Sequence, residues 1–317
     1  MIQPAISNPE AHRAGYVGLI GRPNVGKSTL LNRVLGQKVS ITSPKPQTTR
    51  NRVVGIWNGA GVQALLVDTP GIHNALDPLN QAMVTAALTT LEQVEVVCWI
   101  VDAAEAAARV RHGEPAIGTA DENLATRIEA TGSPVVLAFN KIDRIEPLQL
   151  LPLIDAWRQR LELAACVPIS AMDGDGVPAL LDEISTLLPE HPPFYPADQL
   201  TEQTERFLVA EMIRERIFHL TEREIPYATA VEIEVFDESE RDGPKPLVRI
   251  AARILVERPS QKAIVIGRRG SMIRQIGTDA RKDIEDLLDT HVFLELFVAV
   301  EPGWSEKTRA LRELGLT

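Results

Sequence analysis

Residues Gly21 to Ser28 have the types and spacing of a phosphate-binding loop, because the string GRPNVGKS fits the pattern G-x-x-x-x-G-K-[ST]. In such a loop, backbone N–H groups and a helix N-terminus attract phosphates. Lys27 would contact the β- and γ-phosphates and the Ser28 hydroxyl would bind Mg²⁺. The alternative is a glycine-rich turn with an incidental lysine. The apolar run Tyr16 to Ile20 before the loop and the helical pattern from Thr29 to Gly36 after it favour the phosphate loop. The predicted contact residues are Gly21, Arg22, Pro23, Asn24, Val25, Gly26, Lys27, Ser28 and Thr29.

A second candidate segment, Asp68-Thr69-Pro70-Gly71, follows the apolar run 63–67. The Asp68 carboxylate could hold Mg²⁺ through water. The Gly71 N–H could reach a γ-phosphate with no side chain in the way. Without the phosphate loop, the same four residues would indicate a turn at a strand end.

The segment Asn140-Lys141-Ile142-Asp143 predicts recognition of guanine. The Asp143 carboxylate is a pair of acceptors, and guanine presents two adjacent donors that adenine lacks. Adenine would leave the carboxylate unpaired, so the site should reject it. Ser170 and Ala171 follow a further apolar run and could add a backbone contact to the base.

Between the first two motifs, residues 43–52 are polar and contain two prolines, which is typical of a loop. A threonine hydroxyl there could complete Mg²⁺ coordination only when the γ-phosphate is present, which would order the segment. We choose Thr49 over Thr48 for this role. The alternative is a solvated polar loop.

The elements that must position these residues are predicted from short apolar runs that alternate with helical stretches up to about Leu188. Such runs are typical of strands covered on both faces of a parallel, doubly wound sheet. Each run ends at a polar residue, where such sheets bind ligands. Four prolines in residues 188–196 indicate a linker. We predict a tail over 1–14, an α/β nucleotide domain over 15–189, a linker over 190–200 and a small α+β domain over 201–317.

Composition restricts the function classes further. The net charge of −10 argues against passive adhesion to nucleic acid, although residues 258–282 contain seven basic residues and one acidic residue. No apolar run approaches the ~18 residues of a membrane span. The two cysteines, Cys98 and Cys166, have apolar neighbours and predict buried thiols in a reducing compartment. We therefore expect a cytoplasmic protein.

The four motifs, in this order and spacing, resemble those of translation-factor-class GTPases. The phrase from Pro44 to Ile56, together with Asp68 to His73, resembles one family, the ribosome-assembly GTPase family Era. Gly303-Trp304 and residues 311–315 extend the likeness to nearly the whole chain. The resemblance implies hydrolysis of GTP to GDP with Mg²⁺, a P-loop GTPase domain with a mostly parallel sheet, and a C-terminal type II KH domain. Lys27, Thr49 and Gly71 would then be the catalytic residues.

A glycine pair in the basic stretch is the candidate RNA-binding loop. Gly267 and Gly270 flank two arginines, and a G-x-x-G loop of this kind clamps single-stranded RNA in KH domains. The alternative is a turn that joins two helices. Within the family this domain binds the 3′ end region of 16S ribosomal RNA, which implies the 30S subunit as partner. The resemblance also implies, at most, peripheral contact with the inner membrane, and we expect a monomer. The predicted RNA contacts are Ile266, Gly267, Arg268, Arg269, Gly270, Ser271, Arg274, Arg281 and Lys282.

Position 72 bears on catalysis, because Ras-like enzymes place a water-orienting glutamine there and this chain has Ile72. Either hydrolysis is slow and a partner accelerates it, or another element aligns the water. In related GTPases with asparagine at the position of Asn24, a potassium ion serves this purpose, and the resemblance permits the same here. The alternative function is a guanine-nucleotide-binding RNA adaptor with negligible hydrolysis. The alanine-rich stretch Ala103 to Ala120 is longer than the family pattern leads us to expect.

Overall fold

The structure is a computed structural model that describes residues 12–45, 48–71 and 78–306. These residues form two compact units. The first contains residues 12–37, 52–71 and 87–202, and the second contains 38–45, 48–51, 78–86 and 203–306. The predicted domain boundaries stay a prediction.

The first unit is built on a six-stranded sheet with the strand order β2-β3-β1-β4-β5-β6. The pairs of β1 with β3 and β4, of β4 with β5 and of β5 with β6 are parallel. The edge strand β2 is antiparallel to β3, because only two residues separate them and a turn that short reverses the chain. The mostly parallel sheet of the prediction is confirmed. The strands are β1 (Arg13–Ile20), β2 (Val53–Gly59), β3 (Val62–Asp68), β4 (Val96–Asp102), β5 (Val135–Asn140) and β6 (Ala165–Pro168).

Helices cover this sheet, and the central strands are buried on both faces. Every residue of β3 and β5 is buried. Trp99, Phe139 and Trp157 pack edge to face in the core. The stretch Ala103 to Ala120 contains a nine-residue helix, α3, and the start of α4. The helices of this unit are α1 (Lys27–Leu35), α3 (Ala103–Arg111), α4 (Thr119–Glu129), α5 (Leu150–Arg160) and α6 (Val177–Leu187). A further helix, α2 (Pro78–Leu91), begins in the second unit and ends in the first.

The proline-rich stretch predicted as a linker packs against the first unit. The buried Gln63 side chain accepts the N–H groups of Phe194 and Tyr195 at 2.7 and 3.0 Å. Further along, the Ile56 N–H donates to the Leu200 carbonyl oxygen at 2.8 Å. The bond from Ile56 satisfies a backbone N–H at the β2 edge, which would otherwise stay open.

The second unit contains a three-stranded sheet of order β7-β8-β9, covered on one face by helices. β7 is antiparallel to β8, and β9 is parallel to β8. Alternate residues of β8, from Val248 to Val256, pack against the helices, as the period of two predicts for a strand with one buried face. The elements are α7 (Glu205–Leu220), β7 (Thr229–Glu240), β8 (Leu247–Val256), α8 (Pro259–Ile266), α9 (Ser271–Leu288) and β9 (His291–Val300).

No helix in residues 12–45, 48–71 and 78–306 has the length and apolar composition needed to cross a bilayer.

Candidate functional site

The predicted phosphate loop connects β1 to α1. The Lys27 ammonium is buried and donates to the carbonyl oxygens of Gly21 and Arg22 at 3.1 and 3.0 Å. Burial lowers the pKa of Lys27 to about 8, and the Asp68 carboxylate opposes part of that fall. A bound phosphate would supply the negative charge that restores the ammonium form.

The backbone of this loop favours an anion at the start of α1. Gly26 precedes the helix with a φ of 106° and has no side chain that could cap it. No side chain therefore caps the first turn of α1, and the helix dipole adds positive potential there, which favours an anion. Asn24, also left-handed with a φ of 63°, lies exposed in the loop.

Two hard oxygen groups lie together at the predicted magnesium site. The Ser28 hydroxyl donates to Asp68 Oδ2 at 2.6 Å, and Asp68 ends β3 with its carboxylate buried. A hydroxyl and a carboxylate are ligands that suit Mg²⁺, so these residues fit the ion that the family implies. The neighbouring Thr69 hydroxyl donates to the Leu19 carbonyl oxygen at 3.1 Å, which fixes the end of β3 to β1.

Gly71 lies against the phosphate loop. A Cβ atom at this position would lie 2.7 Å from the backbone nitrogen of Pro23, so a side chain there would push the two segments apart. The predicted contact between the Gly71 N–H and a γ-phosphate stays a prediction. Ile72 lies outside the described residues.

The predicted guanine-reading segment is bonded to the phosphate loop. The Asn140 amide donates to the Val25 carbonyl oxygen at 2.7 Å and accepts from the Ala171 N–H at 2.9 Å. The Lys141 ammonium donates to the Asn24 carbonyl oxygen at 2.8 Å. The contacts of Asn140 and Lys141 with the phosphate loop follow from the parallel sheet, which brings the ends of β1 and β5 to one edge.

Asp143 stands in a 3₁₀ turn, Ile142–Arg144, with its side chain about one-third exposed. Its described ionic partner is Arg144, at 3.6 Å. The Ser170 hydroxyl donates to Asp173 Oδ2 at 3.0 Å, which closes the loop that carries Ala171.

Asp102 is a site residue to which the sequence prediction assigns no role. Asp102 ends β4, its Oδ2 pairs with the Lys141 ammonium at 2.5 Å, and its Oδ1 accepts the Glu105 N–H at 3.0 Å. The available signal is its position, since it is a polar residue that follows a buried strand at the edge where ligands bind.

The segment that contains the predicted switch threonine belongs to the second unit. The Arg50 guanidinium, 5% exposed, donates to the carbonyl oxygens of Thr229 and Tyr227 at 2.7 Å each and lies over the Trp304 ring. The Arg214 guanidinium donates to the Thr48 carbonyl oxygen at 2.5 Å. Thr49 is buried in this segment, and its role in holding Mg²⁺ stays a prediction.

The same segment contacts the C-terminal half of α7. The Thr42 N–H donates to Glu215 Oε1 at 2.9 Å, and the Lys45 ammonium donates to the carbonyl oxygens of Phe218 and Thr221. Lysine at a helix C-terminus satisfies carbonyl groups that the helix leaves open.

The predicted RNA loop joins α8 to α9. Gly267 ends α8 with a φ of 72°, and a Cβ there would lie 2.6 Å from the Met272 Cβ, so glycine is required. Arg268–Gly270 forms a 3₁₀ turn in which Arg269 has a φ of 51°. The basic residues of this surface are all exposed, and within the described part of the chain none of them forms an ion pair: Arg268, Arg269, Arg274, Arg281 and Lys282.

Two family models match the chain. Residues 16–141 match the model described as 50S ribosome-binding GTPase, and residues 224–305 match the model described as KH domain. These ranges contain the phosphate loop and the G-x-x-G loop, respectively.

Curated relatives match nearly the whole chain. The GTPase Era of Syntrophus aciditrophicus (strain SB) is 48% identical over 303 residues, which cover 96% of this chain and 95% of the relative. The GTPase Era of Geotalea uraniireducens (strain Rf4) is 51% identical over 303 residues, which cover 96% of this chain and 97% of the relative.

Two solved structures of Era also match nearly the whole chain. A tyrosine-to-alanine variant of Aquifex aeolicus Era bound to GDP·AlF₄⁻ is 38% identical and superposes with a TM-score of 0.89 over 96% of this chain and 99% of that one. Era in complex with MgGDPNP and nucleotides 1506–1542 of 16S ribosomal RNA gives the same identity, coverage and TM-score. The predicted fold class is confirmed, and the chain belongs to the Era family of GTPases.

Proposed function

We propose that this chain binds GTP and GDP between the phosphate loop and the Asn140 to Asp143 segment, and hydrolyses GTP to GDP. The observation that carries the proposal is the pair of bonds from the Asn140 amide to Val25 and Ala171. They join the loop predicted to hold phosphates with the two segments predicted to read guanine. A rigid connection between the two would let one nucleotide engage both at once.

Magnesium would be held by the Ser28 hydroxyl and, through water, by Asp68, with Thr49 as the further ligand of the triphosphate state. The metal supplies charge neutralisation at the β- and γ-phosphates. The solved Era complex with MgGDPNP supports magnesium as the metal ion. We also propose that a potassium ion beside Asn24 assists hydrolysis, because Ile72 cannot orient water by hydrogen bonding.

We propose that the loop Gly267 to Gly270 binds single-stranded RNA from the 3′ end region of 16S ribosomal RNA. The five exposed cations of the loop and α9 are available to phosphates. The Era structure with nucleotides 1506–1542 of 16S ribosomal RNA supports this choice of partner. The protein would then act in assembly of the 30S subunit, in the cytoplasm and as a monomer.

The test is GTP turnover by the full chain, with and without a 16S 3′-end RNA fragment, in potassium and in sodium buffer. We expect slow hydrolysis that the RNA accelerates, and faster hydrolysis in potassium. Binding of GTP with undetectable, RNA-insensitive turnover would support the adaptor function instead.

A second measurement is the affinity for the RNA fragment in the GDPNP and GDP states. We propose that the chain releases the RNA after hydrolysis, so the affinity should be higher in the GDPNP state, and equal affinities would contradict this.

A further inference from the structure

The second residue of the phosphate loop is held by two carboxylates. Arg22 Nη2 lies 2.8 Å from Glu105 Oε2, and Arg22 Nε lies 3.0 and 3.1 Å from the two carboxylate oxygens of Asp121. The Asp121 side chain is 6% exposed and the Arg22 side chain 23%. The guanidinium is therefore committed to protein carboxylates on a largely buried surface.

One carboxylate lies in the alanine-rich stretch that departs from the family pattern, and the other follows its last residue. Glu105 is in the first turn of α3, and Asp121 is in the first turn of α4. The stretch is anchored at its start by Asp102, which accepts the Glu105 N–H and pairs with Lys141. Because Lys141 also donates to the Asn24 carbonyl oxygen, the same set of residues holds the phosphate loop at Arg22 and at Asn24.

We propose that Arg22 is a positioning residue, and that Glu105 and Asp121 preorganise the phosphate loop for the β-phosphate. The inference rests on the nucleotide binding proposed above. A loop that is already held in its binding conformation loses less conformational freedom when the ligand binds. The ion pairs of Arg22 with Glu105 and Asp121, which we call the tether, would therefore raise the affinity for the nucleotide without contacting it. Arg22 thus acts on the phosphates through its backbone position, while its charge is neutralised by Glu105 and Asp121.

A positioning role of Arg22 can be distinguished from an ion pair that only stabilises the fold, because the two predict different effects on the affinities for GDP and GMP. The phosphate loop cradles the β-phosphate, which GDP has and GMP lacks. Loosening the loop should therefore weaken GDP binding more than GMP binding. A global loss of stability would reduce the folded fraction and leave the ratio of the two affinities unchanged.

The experiment measures the affinities of the full chain for GDP and GMP, and the GDP dissociation rate, for wild type and Asp121→Asn. We expect about a tenfold loss of GDP affinity with a matching rise in the dissociation rate, and less than about a twofold change for GMP. The matched control is Glu122→Gln, one residue along α4, because Glu122 pairs with Arg160 and not with the phosphate loop. The control should keep the wild-type GDP affinity.

A second variant covers the case in which Asp121→Asn does not fold. Glu105 is 46% exposed, so Glu105→Gln should fold and lower GDP affinity by a smaller factor of about three. Arg22→Lys should bind GDP more tightly than Arg22→Gln, since lysine keeps the charge that the carboxylates attract. An unchanged GDP-to-GMP affinity ratio in Asp121→Asn, or in Glu105→Gln if the first does not fold, would overturn the tether alone. A wild-type chain that binds no GDP would overturn the proposed function and the tether together.

Discussion

The side-chain amide of Asn140 donates to the carbonyl oxygen of Val25 at 2.7 Å, so the end of β5 is bonded to the phosphate loop. Asn140 is 3% exposed and also accepts the Ala171 N–H, which means that one side chain connects three segments of the site. Few other side chains could replace it, because the position needs a donor and an acceptor on one planar group.

Asn140→Ala should weaken GDP binding by more than about tenfold and lower the free energy of unfolding by about 2 kcal/mol, because the buried partners of the amide lose their bonds. Isothermal titration and urea unfolding measure the two effects. Asn58→Ala is the matched control, since Asn58 also donates once and accepts once, to Ala197 and from Gln63. Equal effects of the two substitutions on GDP affinity would contradict a special role of Asn140.

Asp143→Asn should shift the preferred base from guanine to xanthine. Xanthine has an oxygen where guanine has its 2-amino group, so an amide at position 143 can donate where the carboxylate accepted. Competition of GDP and XDP for the variant measures the shift, with Arg144→Gln as a control that removes only the ionic neighbour of Asp143. A variant that keeps wild-type GDP affinity would refute base reading by Asp143.

GDP affinity should fall as the pH rises through about 8. The pKa of Lys27 is about 8 without nucleotide, and bound phosphates favour the ammonium form, so binding takes up a proton above that pH. At pH ~8 we expect uptake of about half a proton per GDP, rising towards about one at pH ~9. Calorimetry in buffers of different ionisation enthalpy measures the uptake. GMP, without a β-phosphate, should show less of it, and a GDP affinity that is flat from pH ~7 to ~9 would contradict the prediction.

Arg50→Lys should lower the free energy of unfolding of the second unit by about 2–4 kcal/mol, because a lysine cannot satisfy the buried carbonyl oxygens that the guanidinium bonds. Urea unfolding of the full chain measures the loss. Arg52→Lys is the control, since Arg52 is exposed and lies over the Tyr16 ring. A loss below about 1 kcal/mol would mean that these bonds contribute little.

Replacing Arg268 and Arg269 together by alanine should weaken binding of the 16S 3′-end fragment and reduce the salt dependence of the affinity by about two counterions. Filter binding at several salt concentrations gives both values. Arg249→Ala is the control, because Arg249 lies on β8 and is paired with Glu240 at the end of β7. If the salt dependence of the RNA affinity did not change, the RNA would bind to a surface that does not include Arg268 and Arg269.

Local patterns are sufficient for much of the fold. The helical spacing of 205–220 and 271–288 predicts α7 and α9 with the observed bounds, and the largely apolar run 247–256 predicts β8. The strand β2 is not predicted, because glycines and Asn58 interrupt its apolar pattern. The helix α3 in the alanine-rich stretch is not predicted either, although alanine is the strongest helix former and Asp102 caps α3.

By itself, the sequence determined the chemistry: a phosphate loop, a base-reading segment, a glycine pair with arginines, and membership of the Era family. These depend on residue type and short spacing, which a chain displays before it folds. Only the tertiary structure decided that Asn140 bonds Val25, that Glu105 and Asp121 hold Arg22, and that the segment around Thr49 packs with the second unit. Such contacts join residues as many as 179 positions apart, and they depend on the parallel sheet order and on buried charges finding partners.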